Sequence, residues 1–297
     1  LVTGQLPQGH DALFHLHRVI QLDALLREGI VYSRWAPDLA RGFGYPLFNY
    51  YAPLSYYLPE ALHFSGVPFV EALLVAFVVL LIAAALSMYL WVRDLFGEGP
   101  AVLAAAAYVL SPYMVLNLVT RAVLAELQAL ALLPLILFCL DRLLGVPDPA
   151  QSGTDSGFGS CGACRVMPCA ERAMAGRRDV VEGRPQRVVC SRYAVGLALG
   201  VAALILSHNV TALLFMPFLA GYAGGLFAFS WLADRRGGAG SKELVGVKAQ
   251  ALLAVMAGLA LTAFFWLPAL AERGLVQMDR LTAWSMFDYR HNFQDLG

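Results

Sequence analysis

The chain has 297 residues, of which 59% are apolar and 14% charged, and its 21 Lys and Arg are balanced by 21 Asp and Glu. With a mean hydropathy of +0.63, this composition lies outside the range of ordinary soluble domains and marks an integral membrane protein. The zero net charge leaves no global basicity that would argue for a nucleic-acid partner, so Arg and Lys are read by their positions along the chain.

Residues 1–66 hold no apolar run long enough to span a bilayer or to serve as a signal peptide. This predicts that the natural chain starts upstream of Leu1. Within the segment, GHDALFHLHRVIQLDALLREG (residues 9–29) places Leu13, Leu16, Ile20, Ala24 and Leu25 at three- and four-residue spacing, with Arg18, Gln21, Arg27 and Glu28 falling elsewhere. That pattern predicts an amphipathic helix along the outer membrane surface, with Asp11 as its N-cap. His10, His15 and His17 do not make a compact chelate on a helix, because positions 15 and 17 point to nearly opposite sides and positions 10 and 17 lie two turns apart. Asp11 and His15 share a face and could hold a proton or one ion between them. The sequence requires no cofactor and leaves a divalent metal open. Residues 32–60 interleave six Tyr, one Trp and two Phe with Gly, Pro, Arg and Asp. Such a loop suits either the headgroup belt or a sugar-stacking surface. Arg34, Asp38 and Arg41 add hydrogen-bonding groups that a belt does not need, so Arg34, Trp35, Asp38, Tyr50 and Tyr51 are candidate substrate contacts.

Six apolar runs follow, at 67–92, 101–119, 124–140, 193–207, 210–232 and 249–270, each near the ~20 residues of a spanning helix. The 193–207 run is short, which places Ser207-His208-Asn209 below the membrane surface if the helix is not tilted. Arg93, Arg142, the cluster from Arg165 to Arg192, Arg235, Arg236, Lys242 and Lys248 all fall on one side of these spans, the side expected to be cytoplasmic. The other side carries residues 1–66, the 119–124 turn with Arg121, the 207–209 turn and everything after Glu272. The expected domains are therefore an outer loop (1–66), a six-span region (67–271) and the start of an outer segment (272–297). An insertion at 145–192, rich in Gly, Ser and Arg, interrupts the spans and is expected to be disordered. Its Cys161, Cys164, Cys169 and Cys190 form one Cys-x-x-Cys with no second doublet and no His, which is not the pattern of a structural zinc site.

On the outer side, Arg121 follows a helix break at Ser111-Pro112-Tyr113, and its fork matches a phosphate. Glu126 would hold Arg121 or accept sugar hydroxyls. The alternative is that both only mark helix ends at the interface. His208 and Asn209 would be costly in this turn unless paired or facing a wet cavity, and Asn209 could instead cap the next helix. Glu272 and Arg273 are expected to pair with each other or to anchor the interface.

GHD, RWAPDLARGFGYPLFNYYAPL, MYLWVRDLFG, AYVLSPYMVLNLVTRAVLAELQALALLPLI, SHNVTALLF and AFFWLPALAER together resemble a family of large bacterial membrane proteins labelled 6-pyruvoyl-tetrahydropterin-synthase-related. The family's architecture is similar to that of the GT-C membrane glycosyltransferases. The pterin chemistry itself is set aside, because a soluble pterin synthase needs a three-His zinc site that these spans lack. The resemblance implies an all-α, GT-C-like polytopic bundle of seven spans, one of them ahead of this chain, and members that continue beyond Gly297. It also implies that an acidic residue soon after the first span does the chemistry, a position that Asp11 holds with His10 beside it. Transfer of a sugar from a polyprenyl-phosphate donor to a glycan, lipid or protein acceptor at the outer face of the cytoplasmic membrane needs a base, a cation for the departing phosphate and an apolar groove. Asp11 would be the base and Arg121 the cation, with His10, Arg34, Trp35, Asp38, Tyr50, Tyr51, Glu126, His208 and Asn209 contacting substrate. The alternatives are a lipid-linked-sugar transporter, which calls for mid-span charges and broken helices in repeated halves, and a noncatalytic scaffold.

Overall fold

The computed structural model describes residues 9, 11–144, 186–237 and 241–276. Within them the chain is an all-α polytopic membrane bundle, and the pairing of Ala36 with Tyr45 is an isolated bridge. The elements are α1 (Ala12–Arg27), α2 (Leu47–Tyr50), α3 (Leu54–Phe64), α4 (Phe69–Phe96), α5 (Glu98–Val109) and α6 (Pro112–Val115), which runs into a π-helical turn (Leu116–Arg121). They continue with α7 (Leu124–Leu144), α8 (Gln186–Ser207), α9 (Asn209–Gly237), α10 (Ser241–Leu261) and α11 (Ala263–Ala271).

Hydrocarbon offers the backbone no partner, so each apolar run closes its own hydrogen bonds as a helix. Three helices are long and apolar enough to cross a membrane unbroken, at Phe69–Phe96, Leu124–Leu144 and Asn209–Ala228. Two further candidates are bent pairs, Glu98–Val109 with Pro112–Arg121 at 43° and Lys248–Leu261 with Ala263–Ala271 at 63°. Arg192–Ser207 is a shorter apolar helix, matching the short run in the sequence. Both bends have local causes. At the first, Pro112 removes a backbone donor while Ser111 Oγ accepts from the Met114 N–H and starts a new helix. At the second, the Thr262 hydroxyl donates back to the Gly258 and Leu259 carbonyls at 3.1 and 3.0 Å, which bends a helix at that point.

Helix α7 is shared by two cores. On one side Leu124 and Leu127 pack with Leu22, Tyr56, Leu73 and Phe77, tying α7 to α1, α3 and α4. On the other, Ile136 and Leu140 pack with Leu197, Val201 and Leu204 of α8 and with α9 and α10. Lipid is as apolar as leucine, so association inside the bilayer depends on close packing. Gly196 and Gly200, spaced four apart, supply it: a Cβ at either would lie 2.9 Å from Cys139 Sγ or Ile136 Cγ1. Gly258 of α10 does the same on α8, where a Cβ would sit 2.7 Å from the Ala198 carbonyl oxygen.

Two expectations change. The helix at α1 forms, but its buried face is Ala12, His15, Val19, Leu22 and Leu25, while Leu13 and Ile20 are exposed. Apolar residues lie on both sides of α1, so spacing alone does not select a face. Packing on α3 and α4 selects the one whose polar members, His15 and Gln21, find partners. Of the 145–192 insertion, residues 145–185 lie outside the described residues and helix α8 begins at Gln186; Cys161, Cys164 and Cys169 therefore fall outside as well.

The bundle has two chemically distinct ends. At one, Asp94 accepts from Arg142, and Asp141 accepts from Trp91 Nε1 at 2.7 Å and from the Tyr222 hydroxyl. At the other, segments far apart in sequence meet: Asp11 with Arg121, Ser55 with Ser207, Tyr50 with Asn209, and Asn49 with Glu272.

Candidate functional site

Gly9 and Asp11 sit on the turn between the π-helix and α7. The Asp11 N–H donates to the Arg121 carbonyl at 3.1 Å. Gly9 packs so closely that a Cβ would lie 2.6 Å from Ala122 Cβ, so only glycine allows this approach. Ala122 itself has φ 52°, the left-handed conformation that ends the π-helix, and the Val123 N–H then returns to the Asn117 carbonyl at 3.0 Å. Asp11 occupies the N-cap position of α1, but its side chain makes no capping bond. The expected capping role is therefore not formed. Among the described residues, no hydrogen bond or ion pair engages its carboxylate. His10 lies outside the described residues.

One turn on, His15 is fully buried and both ring nitrogens are engaged. Nε2 accepts from the Leu124 N–H at 3.2 Å, which leaves the ring proton on Nδ1, donated to the Tyr56 hydroxyl at 2.9 Å. Burial first, then the nearby Arg18 and His208, hold its pKa down at about 3, so the ring is neutral. Neither a shared proton or ion nor a surface side-chain pair joins Asp11 and His15, whose ring nitrogens are taken by Tyr56 and Leu124; the two meet through the His15 N–H and the Asp11 carbonyl at 2.9 Å. No sequence spacing announces partners 41 and 109 residues away.

Arg121 is half-exposed and its Nη1 donates to Asn117 Oδ1 at 2.8 Å and to Glu126 Oε2 at 3.0 Å. Glu126 is buried and also accepts from the Tyr113 hydroxyl. Sequence suggested the Arg121–Glu126 pair; Tyr113 and Asn117 enter because the π-helical turn swings Arg121 back over them. Such turns recur at functional positions. Glu126 and Tyr113 line a cleft of about 330 Å³ together with His208 and Thr211, and its remaining wall is apolar, formed by Leu130, Leu133, Val210, Leu214, Phe215 and Phe218.

His208 lines the cleft and also supplies the cap that the sequence offered to Asn209. His208 caps α9, its Nδ1 accepting from the Thr211 N–H at 3.3 Å, while burial keeps the ring below the usual imidazole range. The Asn209 amide instead crosses to the Tyr50 carbonyl at 2.8 Å. Glu272 does not pair with Arg273. It accepts from Asn49 Nδ2 at 2.8 Å and lies 3.8 Å from Arg34 Nη1, and its carbonyl takes the Tyr50 hydroxyl at 3.1 Å. It thereby ties the aromatic loop to the end of α11. Trp35 lies over Gly44, where a Cβ would meet its Nε1 at 2.3 Å, and Asp38 is held by Gln21 through a reciprocal pair at 3.1 and 3.0 Å. Neither lines the cleft. Tyr51 lies under the Arg18 guanidinium, 3.9 Å from ring centre to Cζ. The structure thus gathers Asp11, Arg121, Glu126 and His208 at one end of the bundle, and joins Arg34, Tyr50 and Asn209 through Glu272 and the loop beside it. Among the described residues, no group of three or more His, Cys, Asp or Glu side chains converges on a metal position.

Residues 48–145 match the family model described as the 6-pyruvoyl-tetrahydropterin synthase related domain, a membrane protein. That region contains the aromatic loop's end, α3 to α7, and the Arg121–Glu126 pair. No curated protein and no solved structure matches the chain.

Proposed function

We propose that this protein is a GT-C-type glycosyltransferase of the cytoplasmic membrane that takes a sugar from a polyprenyl-phosphate donor at the outer face and passes it to an acceptor hydroxyl. The observation that carries this reading is a carboxylate with no partner among the described residues, Asp11, fastened by its backbone to the turn that bears Arg121. In the reaction, Asp11 removes the proton of the acceptor hydroxyl and the acceptor oxygen attacks the anomeric carbon. The bond from that carbon to the phosphate oxygen breaks, and the electron pair leaves with the phosphate. Arg121 spends only Nη1 on Asn117 and Glu126, so its Nε and Nη2 edge is free to take two phosphate oxygens as charge builds on them. The cleft suits a lipid-linked substrate, with polar groups at Glu126, His208 and Thr211 and an apolar wall for the first isoprene units. Arg34, Trp35, Asp38, Tyr50 and Tyr51 belong to the loop region that would face the sugar or acceptor.

A transporter of lipid-linked sugars is the second reading, favoured by the two bent helix pairs. One experiment separates them. Membranes containing wild-type or Asp11→Asn protein are supplied with labelled polyprenyl-phosphate sugar, and both glycoside formation and donor flipping are measured. Asp11→Asn is expected to lower transfer by about 10²- to 10⁴-fold with thermal stability and donor binding retained. A folded Asp11→Asn protein that transfers sugar at the wild-type rate removes Asp11 as base, and wild-type flipping without glycoside formation replaces the transferase by the transporter.

A further inference from the structure

The half-buried Arg93, Arg121 and Arg142 each lie within 4 Å of a carboxylate. Arg18, half-buried in the middle of α1, lies within that distance of no carboxylate among the described residues. Its contacts are with neutral tyrosines: Nη1 donates to the Tyr56 hydroxyl at 2.9 Å, and the guanidinium carbon lies 3.9 Å from the centre of the Tyr51 ring and 6.0 Å from that of Tyr56. Tyr56 is not a hidden anion, because its complete burial keeps the hydroxyl protonated far above the ordinary tyrosine range. Its oxygen already accepts from Arg18 and from His15, which exhausts its lone pairs. An aromatic ring beneath it and one neutral hydrogen bond leave the charge of this half-buried guanidinium without a counter-anion among the described residues. Among the described residues, the hydrogen bond from Nη1 to Tyr56 leaves most of Arg18's N–H donors uncommitted.

We infer that Arg18, floored by Tyr51 and braced by Tyr56, is a second anion subsite that takes a lipid-borne phosphate. Guanidinium chemistry selects a phosphate, because two parallel N–H groups match two of its oxygens. The inference rests on the polyprenyl-phosphate reading and deepens it: Arg121, already partly neutralised by Glu126, steadies charge in the transition state, whereas Arg18, with no carboxylate beside it among the described residues, supplies ground-state affinity for the phosphate.

The test measures binding to the purified protein in neutral-lipid nanodiscs of four probes: polyprenyl phosphate, the matching polyprenol, phosphatidylglycerol and inorganic phosphate. Wild-type protein is expected to prefer polyprenyl phosphate over polyprenol, and Arg18→Gln is expected to lose about 10- to 100-fold of that preference while binding polyprenol as before. Reaction with an arginine-selective dicarbonyl, read by mass spectrometry on unmutated protein, gives a second measure that does not depend on the variant folding. Polyprenyl phosphate should protect Arg18 and leave Arg93 reactive. Full phosphate preference in Arg18→Gln, or equal reactivity of Arg18 with and without phosphate probes, overturns the site. Protection by phosphatidylglycerol equal to that by polyprenyl phosphate assigns the subsite to ordinary anionic lipid and overturns its link to the donor. Polyprenyl phosphate that binds without involving Arg18 removes this site and leaves the donor reading standing, whereas protection by inorganic phosphate alone keeps the site and removes the donor.

Discussion

Replacing His15 with alanine removes the acceptor of the Leu124 N–H, a donor in the first turn of α7 that is fully buried. An orphaned buried donor costs about 1–3 kcal/mol. The cavity left by an imidazole adds a cost of the order seen for other large-to-small core changes, about 2 kcal/mol or more. A total near 3 kcal/mol lowers the apparent Tm by roughly 6–12 °C for a chain of this size. His15→Gln provides the contrast: its amide oxygen reaches the Nε2 position and keeps the Leu124 acceptor, so about half the loss should return. Thermal unfolding in detergent at one scan rate, followed by tryptophan fluorescence, compares the three proteins. His15 also sets a pH signature. Its folded pKa of about 3 lies below the ordinary 6.5, so the stability it contributes is present above about pH 6.5 and is lost as pH falls toward 3. His15→Gln should lack that acid-side loss. An alanine variant within about 2 °C of wild type, or a glutamine variant as unstable as alanine, would refute the view that this ring fastens α1 to α7.

Glu60 is buried with both carboxylate oxygens unpartnered among the described residues, and burial together with the neighbouring Asp23 lifts its pKa to about 7 against the influence of His63 and Arg27. A raised carboxyl pKa contributes stability below its ordinary value near 4.5 that is lost as pH rises through about 7. Glu60→Gln should therefore be more stable than wild type at about pH 8 and show a flatter stability profile between about pH 5 and 8; identical profiles would mean that Glu60 ionises freely. For topology, Tyr45→Cys and Glu98→Cys in a background without native cysteines are expected to react with an impermeant maleimide from outside intact cells at position 45 and not at 98. The reverse pattern would put Asp11 and Arg121 on the cytoplasmic side and end the outer-face mechanism.

The apolar runs, the break at Ser111-Pro112, the short run before Ser207 and the pairing of Arg121 with Glu126 were all legible in the sequence. Each depends on local chemistry: hydrocarbon demands helices, proline lacks a donor, and charges five residues apart meet across one turn. The gathering of residues 11–66, the 119–124 turn, the 207–209 turn and Glu272 at one end also followed from counting spans, since helices that cross a bilayer alternate their ends. Which side of α1 is buried was decided by tertiary structure, because apolar residues lie on both of its faces and only the fold brings Tyr56 and Leu124 to His15 and Asp38 to Gln21. The same holds for Glu272, which finds Asn49 and Arg34 more than 220 residues away rather than its neighbour Arg273. Asp11 looked like a helix cap by position, but the close approach of Gly9 to Ala122 turns the chain so that its backbone, and not its carboxylate, makes the contact. Periodicity reports which residues prefer to leave water or lipid; it carries no record of which distant hydrogen-bond donor a buried acceptor will meet, and that meeting is what placed Arg18, His15 and Asp11.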